Sequence, residues 1–495
     1  MDGTSRRTPG HPDAPGRPQA PDRPQAPGRP HAADRPHAPG TPAGPGRAAR
    51  RDLAVRAAVR AGLLDPDDSP LAAFLDLDGI AASAAALHAA WPASVSVRHA
   101  FAAKANSLVP VLRLMRRHGL GCEVASPGEL AQALAAGFTP EELVLDSPAK
   151  TRPELTAALA AGVAVNIDNF QELERVDAVM AGPGSRSRIG LRINPQVGLG
   201  SIAAMSTAGS ESKFGFALDD PGNRERIVRA FLERPWLRWL HVHVGSQGCP
   251  PELAAAGVAA VVGLAEEVDR RCGADRVEGI DIGGGLPVDF TGDRDDPTFA
   301  DQVAALRAGA PGLFGGRYRV VTEPGRSLLA KNGFMASRVE YTKSAGGRAV
   351  ALTHAGVQVA ARTVFLPDSW PLRVLAYDAD GVPLKGGGAG GGVGGGGRET
   401  VAQDVAGPCC FAGDLVARAR DLPLLEPGDL VVLPDTGAYY FSTPFHYNSL
   451  PSPAVHGFEV DDGGEVRFTL LHRQETVADV VARTLGEDGP RNGPS

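Results

Sequence analysis

The segment Gly121–Ala136 reads GCEVASPGELAQALAA, in which a short apolar run, Gly121–Ala125, is followed by a stretch of helical composition, Pro127–Ala136. The same alternation repeats from about residue 95 to about residue 330, with Arg152–Ala161 and Asn169–Met180 as further helical stretches. The runs predicted as strands are His99–Ala103, Gly121–Ala125, Leu143–Asp146, Val163–Ile167, Ile189–Ile193, Trp239–Val244, Gly279–Ile282 and Arg319–Thr322. Eight strand–helix units in about 235 residues predict an α/β fold of the (β/α)8 TIM-type barrel class. The alternative, a doubly wound open sheet, usually has fewer strands.

The sequence changes character on both sides of this region. A strand, Phe74–Leu77, and a helix, Gly79–Ala90, are predicted before it. After about residue 335, turn signals such as Glu426–Asp429 separate short strands at Ser337–Tyr341, Ala349–Leu352, Arg373–Ala376, Leu430–Leu433 and Val466–Leu471. This pattern predicts a mostly antiparallel β domain, completed by a strand from before the barrel. We therefore expect the barrel over residues 93–334 and the β domain over residues 51–92 together with 335–480.

Three segments have too little apolar character to form a core. Residues 1–50 repeat variants of Arg-Pro-x-Ala-Pro-Gly, which predicts a disordered tail, and residues 481–495 are expected to form a flexible tail. The stretch Gly386–Gly397 is almost entirely glycine. It lacks the lysine and Ser/Thr of a phosphate-binding P-loop, so we interpret it as a flexible loop.

Composition excludes several classes of protein. The 495 residues carry a net charge of -7, which gives no reason to expect nucleic-acid binding. No apolar run is long enough to span a bilayer, and the N-terminus lacks the apolar core of a signal peptide. The five cysteines are odd in number and lack the paired spacing of a zinc site, which favours a reducing compartment. A cytoplasmic location without membrane association is therefore expected.

Lys104 ends the apolar run His99–Asn106, HAFAAKAN. A lysine in a dry pocket is expected to have a lowered pKa, because desolvation disfavours the ammonium and leaves an amine that attacks carbonyl groups. Other polar residues follow the predicted strands in the same way. In a barrel the carboxyl ends of the strands form a single mouth, so we expect these residues to converge: Lys104, Glu123, Ser126, Asp146, Asn166, Asp168, Arg192, Asn194, His243, Ser246, Glu323 and Arg326.

Adjacent strand ends also predict a site for a phosphate group. The glycines of Ile280–Gly285, IDIGGG, let backbone amides approach an anion closely, and Ser246 and Arg326 could donate further hydrogen bonds. Glu323 is a carboxylate that could pair with a protonated ring nitrogen, although a structural ion pair with Arg326 is an alternative. A lysine, a phosphate site and an acid for a ring nitrogen are the groups that pyridoxal 5'-phosphate (PLP) requires.

Several further residues are candidates for this site. His241 and His243 alternate on one predicted strand and would point the same way, with His243 against the cofactor ring. They could bind a metal, but the sequence shows no aspartate or third histidine at ligand spacing, so no metal is expected. Cys410 could donate a proton, although a cysteine is more often a small hydrophobe. Tyr439 could donate its hydroxyl to the phosphate or serve only in packing.

From about Phe74 to Leu471 the chain resembles the fold type III PLP-dependent decarboxylases, which include the diaminopimelate and ornithine decarboxylases and share their barrel with alanine racemase. The motifs, in the order of that family, are FAAKAN, EVASPGEL, SKFGF, HVHVGSQ, IDIGGG, EPGR, CCFAGD and GAYYFSTPFHYNS. The resemblance implies a barrel with a β domain, and a homodimer whose subunits share active sites.

The resemblance also implies a role for each matching residue. Lys104 would be the Schiff-base lysine, His243 would stack on the PLP ring, and Glu323 would pair with its nitrogen. Cys410 would reach across from the partner subunit to protonate the product carbanion. Glu123 stands near the lysine, where the family usually has aspartate. The residues implied for the phosphate are Ser246, Gly283, Gly284, Gly285, Arg326 and Tyr439.

Two departures from the family concern the substrate. The family's cysteine is normally followed by an acidic residue that meets the distal amino group of the substrate, but here that position is Phe411. Because a buried unpaired charge is unfavourable, we expect an amino acid other than a simple basic diamino acid, and a carrier-bound one is conceivable. Thr353–Gly356 replaces the family's glycine-rich Asp-Gly-Gly segment, and Arg362 is a candidate for the substrate carboxylate.

Three functions remain open from the sequence. Amino-acid decarboxylation is the first. A racemase or epimerase on the same fold is the second, but it would need a base on each face of the reacting carbon, and only Cys410, as a thiolate, could complement Lys104. A non-catalytic homologue is the third, and the presence of Lys104, Glu323, Arg326 and Cys410 together argues against it.

Overall fold

The structure is a computed structural model that describes residues 45–182, 184–387 and 397–485. Its helices are α1 Arg47–Arg60, α2 Leu77–Ala90, α3 Val109–Arg117, α4 Pro127–Ala135, α5 Arg152–Ala161, α6 Phe170–Ala181, α7 Asn223–Glu233, α8 Pro251–Cys272, α9 Phe299–Gly309, α10 Arg326–Leu329, α11 Val357–Phe365 and α12 Val477–Ala482. Its strands are β1 Leu71–Asp76, β2 Val97–Ala102, β3 Gly121–Val124, β4 Leu143–Leu145, β5 Ala164–Ile167, β6 Ile189–Asn194, β7 Phe216–Ala217, β8 Leu237–His241, β9 Gly279–Asp281, β10 Arg319–Thr322, β11 Gly333–Ala345, β12 Arg348–Thr353, β13 Leu375–Tyr377, β14 Gly386–Gly387, β15 Arg398–Ala406, β16 Leu415–Pro423, β17 Leu430–Pro434, β18 Ala454–Val460 and β19 Val466–His472.

The eight strands predicted between residues 95 and 330 form a closed parallel barrel. Their order is β5-β4-β3-β2-β10-β9-β8-β6, and pairing of β5 with β6 closes the ring. The barrel prediction is therefore confirmed, and the open sheet is excluded. The predicted bounds are accurate to two residues, except that the strand predicted to end at Val244 ends three residues earlier, at His241.

Side-chain caps start two of the barrel helices a few residues after the preceding strands end. The Ser126 side chain accepts a hydrogen bond from the amide of Glu129 at the start of α4, and Asn169 does the same for Glu172 at the start of α6. Such caps satisfy amides that the first turn of a helix leaves unpaired. Ser126 thus serves the helix, and the tight turns keep the strand-end residues at the barrel mouth.

The β domain is a second sheet of ten strands with a central path β14-β15-β12-β11-β1-β18-β19. Strand β1, which precedes the barrel, pairs antiparallel with β11 and parallel with β18. Most pairings are antiparallel, as predicted. Strands β15, β16 and β18 were not predicted, because polar side chains interrupt their apolar residues.

The termini and the glycine-rich stretch lie partly outside the described residues. The first 44 residues of the expected tail, residues 388–396 of the expected loop and residues 486–495 are not described. The last four residues of the predicted 1–50 tail instead begin α1, where the Arg50 side chain donates hydrogen bonds to Asp76. No helix in the described ranges combines the length and apolar character needed to cross a membrane.

The β domain contacts the barrel at the turn that carries Lys104. The carbonyl of Ala105 accepts hydrogen bonds from the amide of Tyr439, at 2.8 Å, and from the hydroxyl of Ser442, at 3.1 Å. The side-chain amide of Asn106 donates to the carbonyl of Gly437 at 3.2 Å. The loop after β17 is thereby attached to the mouth of the barrel.

Candidate functional site

Lys104 lies at the barrel mouth, in a single 3-10 turn that follows β2. Its Nζ donates a hydrogen bond to Glu123 Oε2 at 2.6 Å, and Glu123 is fully buried on β3. The Lys104 side chain lines the inside of the mouth. Protein atoms therefore surround it, yet 40% of the side chain is accessible to solvent. The structure thus brings these two predicted residues together at the mouth.

The pKa of Lys104 is shifted in the direction opposite to the one expected from desolvation. Burial alone lowers the pKa of Lys104. The charges of Glu123, Glu323 and Tyr439 and the hydrogen bond to Glu123 raise it by a larger amount, so the pKa lies above its usual value. Burial and the charge of Asp146 also raise the pKa of Glu123, despite Lys104. Negative charge in the mouth thus increases the proton affinity of both partners, and the prediction of a lowered lysine pKa was wrong.

Glu323 follows β10 and is buried beside His241. Burial raises its pKa well above the usual range, and the carboxylates of Asp281, Glu123 and Asp146 add to the shift. Glu323 Oε1 has no hydrogen-bond partner in the part of the chain that the structure describes. Among the described residues Glu323 forms no ion pair with Arg326, so the alternative of a structural pair is not supported.

His241 ends β8 and contacts two carboxylates that lie far from it in sequence. Its Nδ1 lies 3.6 Å from Asp146 Oδ1, and its Nε2 lies 3.8 Å from Glu323 Oε2. Asp146 also accepts a hydrogen bond from Arg192 at 2.9 Å. The sequence shows no aspartate or third histidine at ligand spacing, and the fold brings these two carboxylates to His241 from distant positions in the chain.

His243 lies two residues beyond the end of β8, so the alternation argument that paired it with His241 does not apply. Its Nδ1 accepts a hydrogen bond from the amide of Gly284 at 3.1 Å. Burial lowers the pKa of His243 well below the usual value. His243 therefore has a neutral imidazole ring, and this hydrogen bond holds the ring at the glycine loop.

The three glycines after β9 leave no room for side chains. A Cβ on Gly284 would lie 2.1 Å from the carbonyl oxygen of Glu323, and one on Gly285 would lie 2.1 Å from that of Gly245. A Cβ on Gly283 would lie 2.6 Å from His243 Nδ1. Ser246 follows Gly245, so the chain brings it to the same loop. Only glycine permits this approach of the β9 loop to the neighbouring strand ends.

Arg326 begins α10 and is almost completely buried without an acidic partner among the described residues. Its Nε and Nη1 make no hydrogen bonds, and burial lowers its pKa to about 10. The Tyr439 ring lies 4.6 Å from Arg326 Cζ and 4.5 Å from Arg362 Cζ, and Trp370 contacts both guanidinium groups. Two cations without counter-ions indicate a site for anions. Trp370 was missed, because nothing around it in the sequence distinguishes it from a core residue.

The residues present fit PLP by their unsatisfied groups. The unpaired guanidinium nitrogens of Arg326 suit a phosphate, and the glycine loop allows close approach of backbone amides. The unpaired Oε1 of Glu323 suits a ring nitrogen that carries a proton. Lys104 supplies an amine for the aldehyde.

The contacts of Cys410 and Phe411 are with other residues of the β domain. No hydrogen bond, ion pair or ring contact within the described ranges links either of them to Lys104. Cys410 is exposed, and its amide donates to Asn448 Oδ1 at 2.7 Å. The Phe411 ring is stacked on Phe365, with centroids 5.9 Å apart, and meets Tyr447 edge-on.

We refer to Phe365, Phe411, Phe445 and Tyr447 as the aromatic cluster. Phe365 is 55% exposed, and Phe445 and Tyr447 are also exposed. The carboxylate that follows in the same loop, Asp414, is buried and accepts hydrogen bonds from the amides of Val357 and Cys409, at 2.6 and 2.7 Å. It is therefore committed to the loop and faces no solvent.

Residues 77–330 match the family model described as pyridoxal-dependent decarboxylase, pyridoxal binding domain. The diaminopimelate decarboxylase of Pseudomonas aeruginosa is 33% identical over 386 residues, covering 77% of this chain and 85% of that protein. That of Actinosynnema pretiosum is 32% identical over 428 residues, covering 83% and 88%. The solved diaminopimelate decarboxylase of Helicobacter pylori in complex with L-lysine superposes with a TM-score of 0.71 at 24% identity, over 86% of this chain and 99% of that chain. At that identity the likeness concerns the fold alone.

Proposed function

The chain belongs to the pyridoxal-dependent decarboxylases, and from that premise we propose that its substrate is an amino acid whose distal end carries no ammonium group. The protein is thus a PLP-dependent carboxy-lyase that acts on an amino acid. The observation that carries the substrate proposal is Phe411 in the aromatic cluster. The relatives are named for diaminopimelate, so a basic diamino acid is the competing possibility.

We propose the following roles at the barrel mouth. Arg326, Tyr439, Ser246 and the amides of Gly283–Gly285 hold the phosphate, and His243 lies against the ring. Support comes from the unpaired nitrogens of Arg326 and from the fixed acceptor at His243 Nδ1. We propose that Arg362 binds a carboxylate of the substrate, which its position beside the Tyr439 ring supports.

Two carboxylates have distinct proton roles in this proposal. When bound, PLP supplies an aldehyde that joins to amines and a ring that accepts the electrons left when CO2 departs. Glu123 Oε2 accepts the proton that Lys104 Nζ must lose before it attacks, since the two atoms are 2.6 Å apart. Glu323 keeps the ring nitrogen protonated, because an opposite charge at contact favours the charged form.

The position of Cys410, the proposed proton donor, supports an active site shared between two subunits. Cys410 is exposed, and within the described ranges no hydrogen bond links it to the Lys104 site. The next residue, Phe411, belongs to the exposed aromatic cluster. We propose a homodimer in which the loop Cys409–Asp414 of one subunit enters the mouth of the other. Cys410 then protonates the reacting carbon, and Phe411 lies against the distal end of the substrate.

An apolar contact at that end would select against a charged substrate. An ammonium that lost its water beside Phe411 would have no carboxylate partner in the loop Cys409–Asp414, because Asp414 already accepts hydrogen bonds from backbone amides. An apolar or aromatic distal group would instead gain burial against the aromatic cluster.

The substrate proposal is tested with PLP-loaded protein and a panel of amino acids, read by mass spectrometry for loss of CO2. We expect an apolar or aromatic amino acid to react with a higher kcat/KM than diaminopimelate, lysine or ornithine. We expect Phe411→Glu to raise kcat/KM for a diamino acid at least about tenfold, since a charge-assisted hydrogen bond contributes about 1.5–3 kcal/mol.

Leu424→Glu is the matched control, because it adds the same charge at an exposed apolar residue that does not belong to the aromatic cluster. It should leave the preference of the wild type unchanged. A wild-type protein that prefers diaminopimelate would contradict the substrate proposal, and conversion of L to D forms without loss of mass would support a racemase.

The shared site is tested by mixing two inactive variants. Lys104→Ala removes the attaching amine and Cys410→Ala the proton donor, so each homodimer should be nearly inactive. Random exchange of subunits makes about half of the dimers mixed, each with one intact site, so activity should recover to about a quarter of the wild type. Exchange is verified by native mass spectrometry. Mixed dimers without recovered activity would show that Cys410 does not act across the interface.

A further inference from the structure

His241 is a fully buried imidazole that none of the roles above uses. It lies between Asp146 and Glu323, with nitrogen–oxygen distances of 3.6 and 3.8 Å. Among the residues that the structure describes, neither ring nitrogen has a hydrogen-bond partner. Oδ1 of Asp146 also has none. A small shift of either carboxylate toward the imidazole would complete a hydrogen bond. The number of protons on the trio of Asp146, His241 and Glu323 therefore decides which hydrogen bonds form.

A neutral imidazole carries one N–H group and can donate to only one of two ionised carboxylates. All three groups are satisfied if Glu323 carries a proton. His241 Nδ1 then donates to Asp146, and Glu323 Oε2 donates to Nε2. The shifts agree with this state, because burial lowers the pKa of His241 and raises that of Glu323. Asp146 remains ionised. Burial raises its pKa, but Arg192, His241 and nearby lysines lower it by a larger amount, so the pKa lies below its usual value.

The surrounding charges come from several neighbouring strands of the barrel. Besides Asp146, the charges that act on His241 are those of Asp281 at the end of β9, Arg192 on β6 and Lys104 after β2. Glu323 also experiences the charge of Glu123 on β3. The carboxylates outnumber the cations, so a second proton on His241 is stabilised once Glu323 becomes negative.

We propose that His241 is a positioning residue that takes up the Glu323 proton at Nε2 when Glu323 ionises against a cationic ring nitrogen. The O–H bond of Glu323 breaks and leaves its electron pair on the carboxylate, and the Nε2 lone pair forms the new N–H bond. No proton leaves the site. The resulting imidazolium donates to both Asp146 and Glu323. This inference rests on the proposed pairing of Glu323 with the ring nitrogen.

The inference has a measurable consequence for proton linkage. If His241 keeps the proton, binding of a ring with a protonated nitrogen releases none from Glu323. Without His241, Glu323 must lose its proton to solvent before it can pair. A released proton weakens binding about tenfold for each unit by which the pH falls.

The experiment measures binding of pyridoxine 5'-phosphate, which has the phosphate and the ring nitrogen but no aldehyde to react with Lys104. Calorimetry in two buffers of different ionisation enthalpy counts protons released on binding. We expect His241→Gln to release about one proton more than the wild type, with affinity that falls about tenfold per pH unit on acidification. Leu240→Val, a change in the neighbouring buried residue of β8, should match the wild type.

Benzyl phosphate, which lacks the ring nitrogen, separates this effect from simple distortion of the site. It should bind with the same proton count in the wild type and in His241→Gln. If His241→Gln does not fold, Asp146→Asn provides the second test, because it weakens the imidazolium and should release between zero and one extra proton.

The outcomes distinguish this inference from the proposed function. Failure of pyridoxine 5'-phosphate to bind the wild type would reject the proposed cofactor site. Binding with equal proton counts in the wild type and in His241→Gln would overturn the role of His241 alone. An equal change for both ligands would assign His241 a purely structural role.

Discussion

Lys104→Ala is expected to abolish covalent attachment of PLP and to lower kcat by at least about 10^3-fold, because the variant loses the amine that joins to the aldehyde. The wild type incubated with PLP should be yellow after gel filtration. After borohydride reduction it should carry the added mass of PLP on the peptide that contains Lys104. The variant should show neither property. Noncovalent binding of the phosphate should persist, since Arg326 and the glycine loop remain.

Lys213→Ala is the matched control for that experiment. Lys213 is exposed, lies in the SKFGF motif and contacts only the Phe214 ring among the interactions found. We expect this variant to attach PLP as the wild type does. Reduced cofactor on another lysine of Lys104→Ala, with activity retained, would contradict the role of Lys104.

Glu323→Gln is expected to lower kcat about 10^2- to 10^3-fold with little change in KM, because it removes a charge that acts on the ring during the reaction and not on the substrate beforehand. The side chain keeps its shape, so PLP should still attach to Lys104. Steady-state kinetics and the absorbance of the bound cofactor measure the two effects separately. An unchanged kcat would show that Glu323 does not set the ring charge.

The same variant should be at least as stable as the wild type without cofactor at neutral pH. An acid whose pKa is raised on folding binds more protons in the folded state, so it reduces stability as the pH rises above its unfolded pKa. Glu323→Gln removes this loss. Glu172→Gln is a contrasting control, because Glu172 pairs with buried Lys150 at 2.7 Å and its loss should destabilise the protein by about 3 kcal/mol. Urea unfolding of the apo proteins separates the two cases.

The barrel was predictable from sequence because strands buried on both faces appear as short, nearly continuous apolar runs. The positions of Lys104, Glu123 and Glu323 followed from the rule that strand ends share one mouth. Strands such as β15 and β18 were not predictable, since buried polar residues, Gln403 and His456, interrupt their apolar pattern. The sign of the Lys104 pKa shift was also beyond the sequence, because it depends on how near Glu123 and Glu323 approach in three dimensions.

Hydrogen bonds join the Lys104 turn of the barrel to the loop after β17 in the β domain. The barrel and the β domain would therefore both contribute to holding the cofactor. The carbonyl of Ala105 and the side chain of Asn106 are satisfied by Tyr439, Ser442 and Gly437. A barrel excised at its apparent boundary would lose these partners at the very turn that presents the lysine. The two parts are therefore poor candidates for modular exchange, and a chimera would have to transfer the loop 437–442 together with the barrel that it serves.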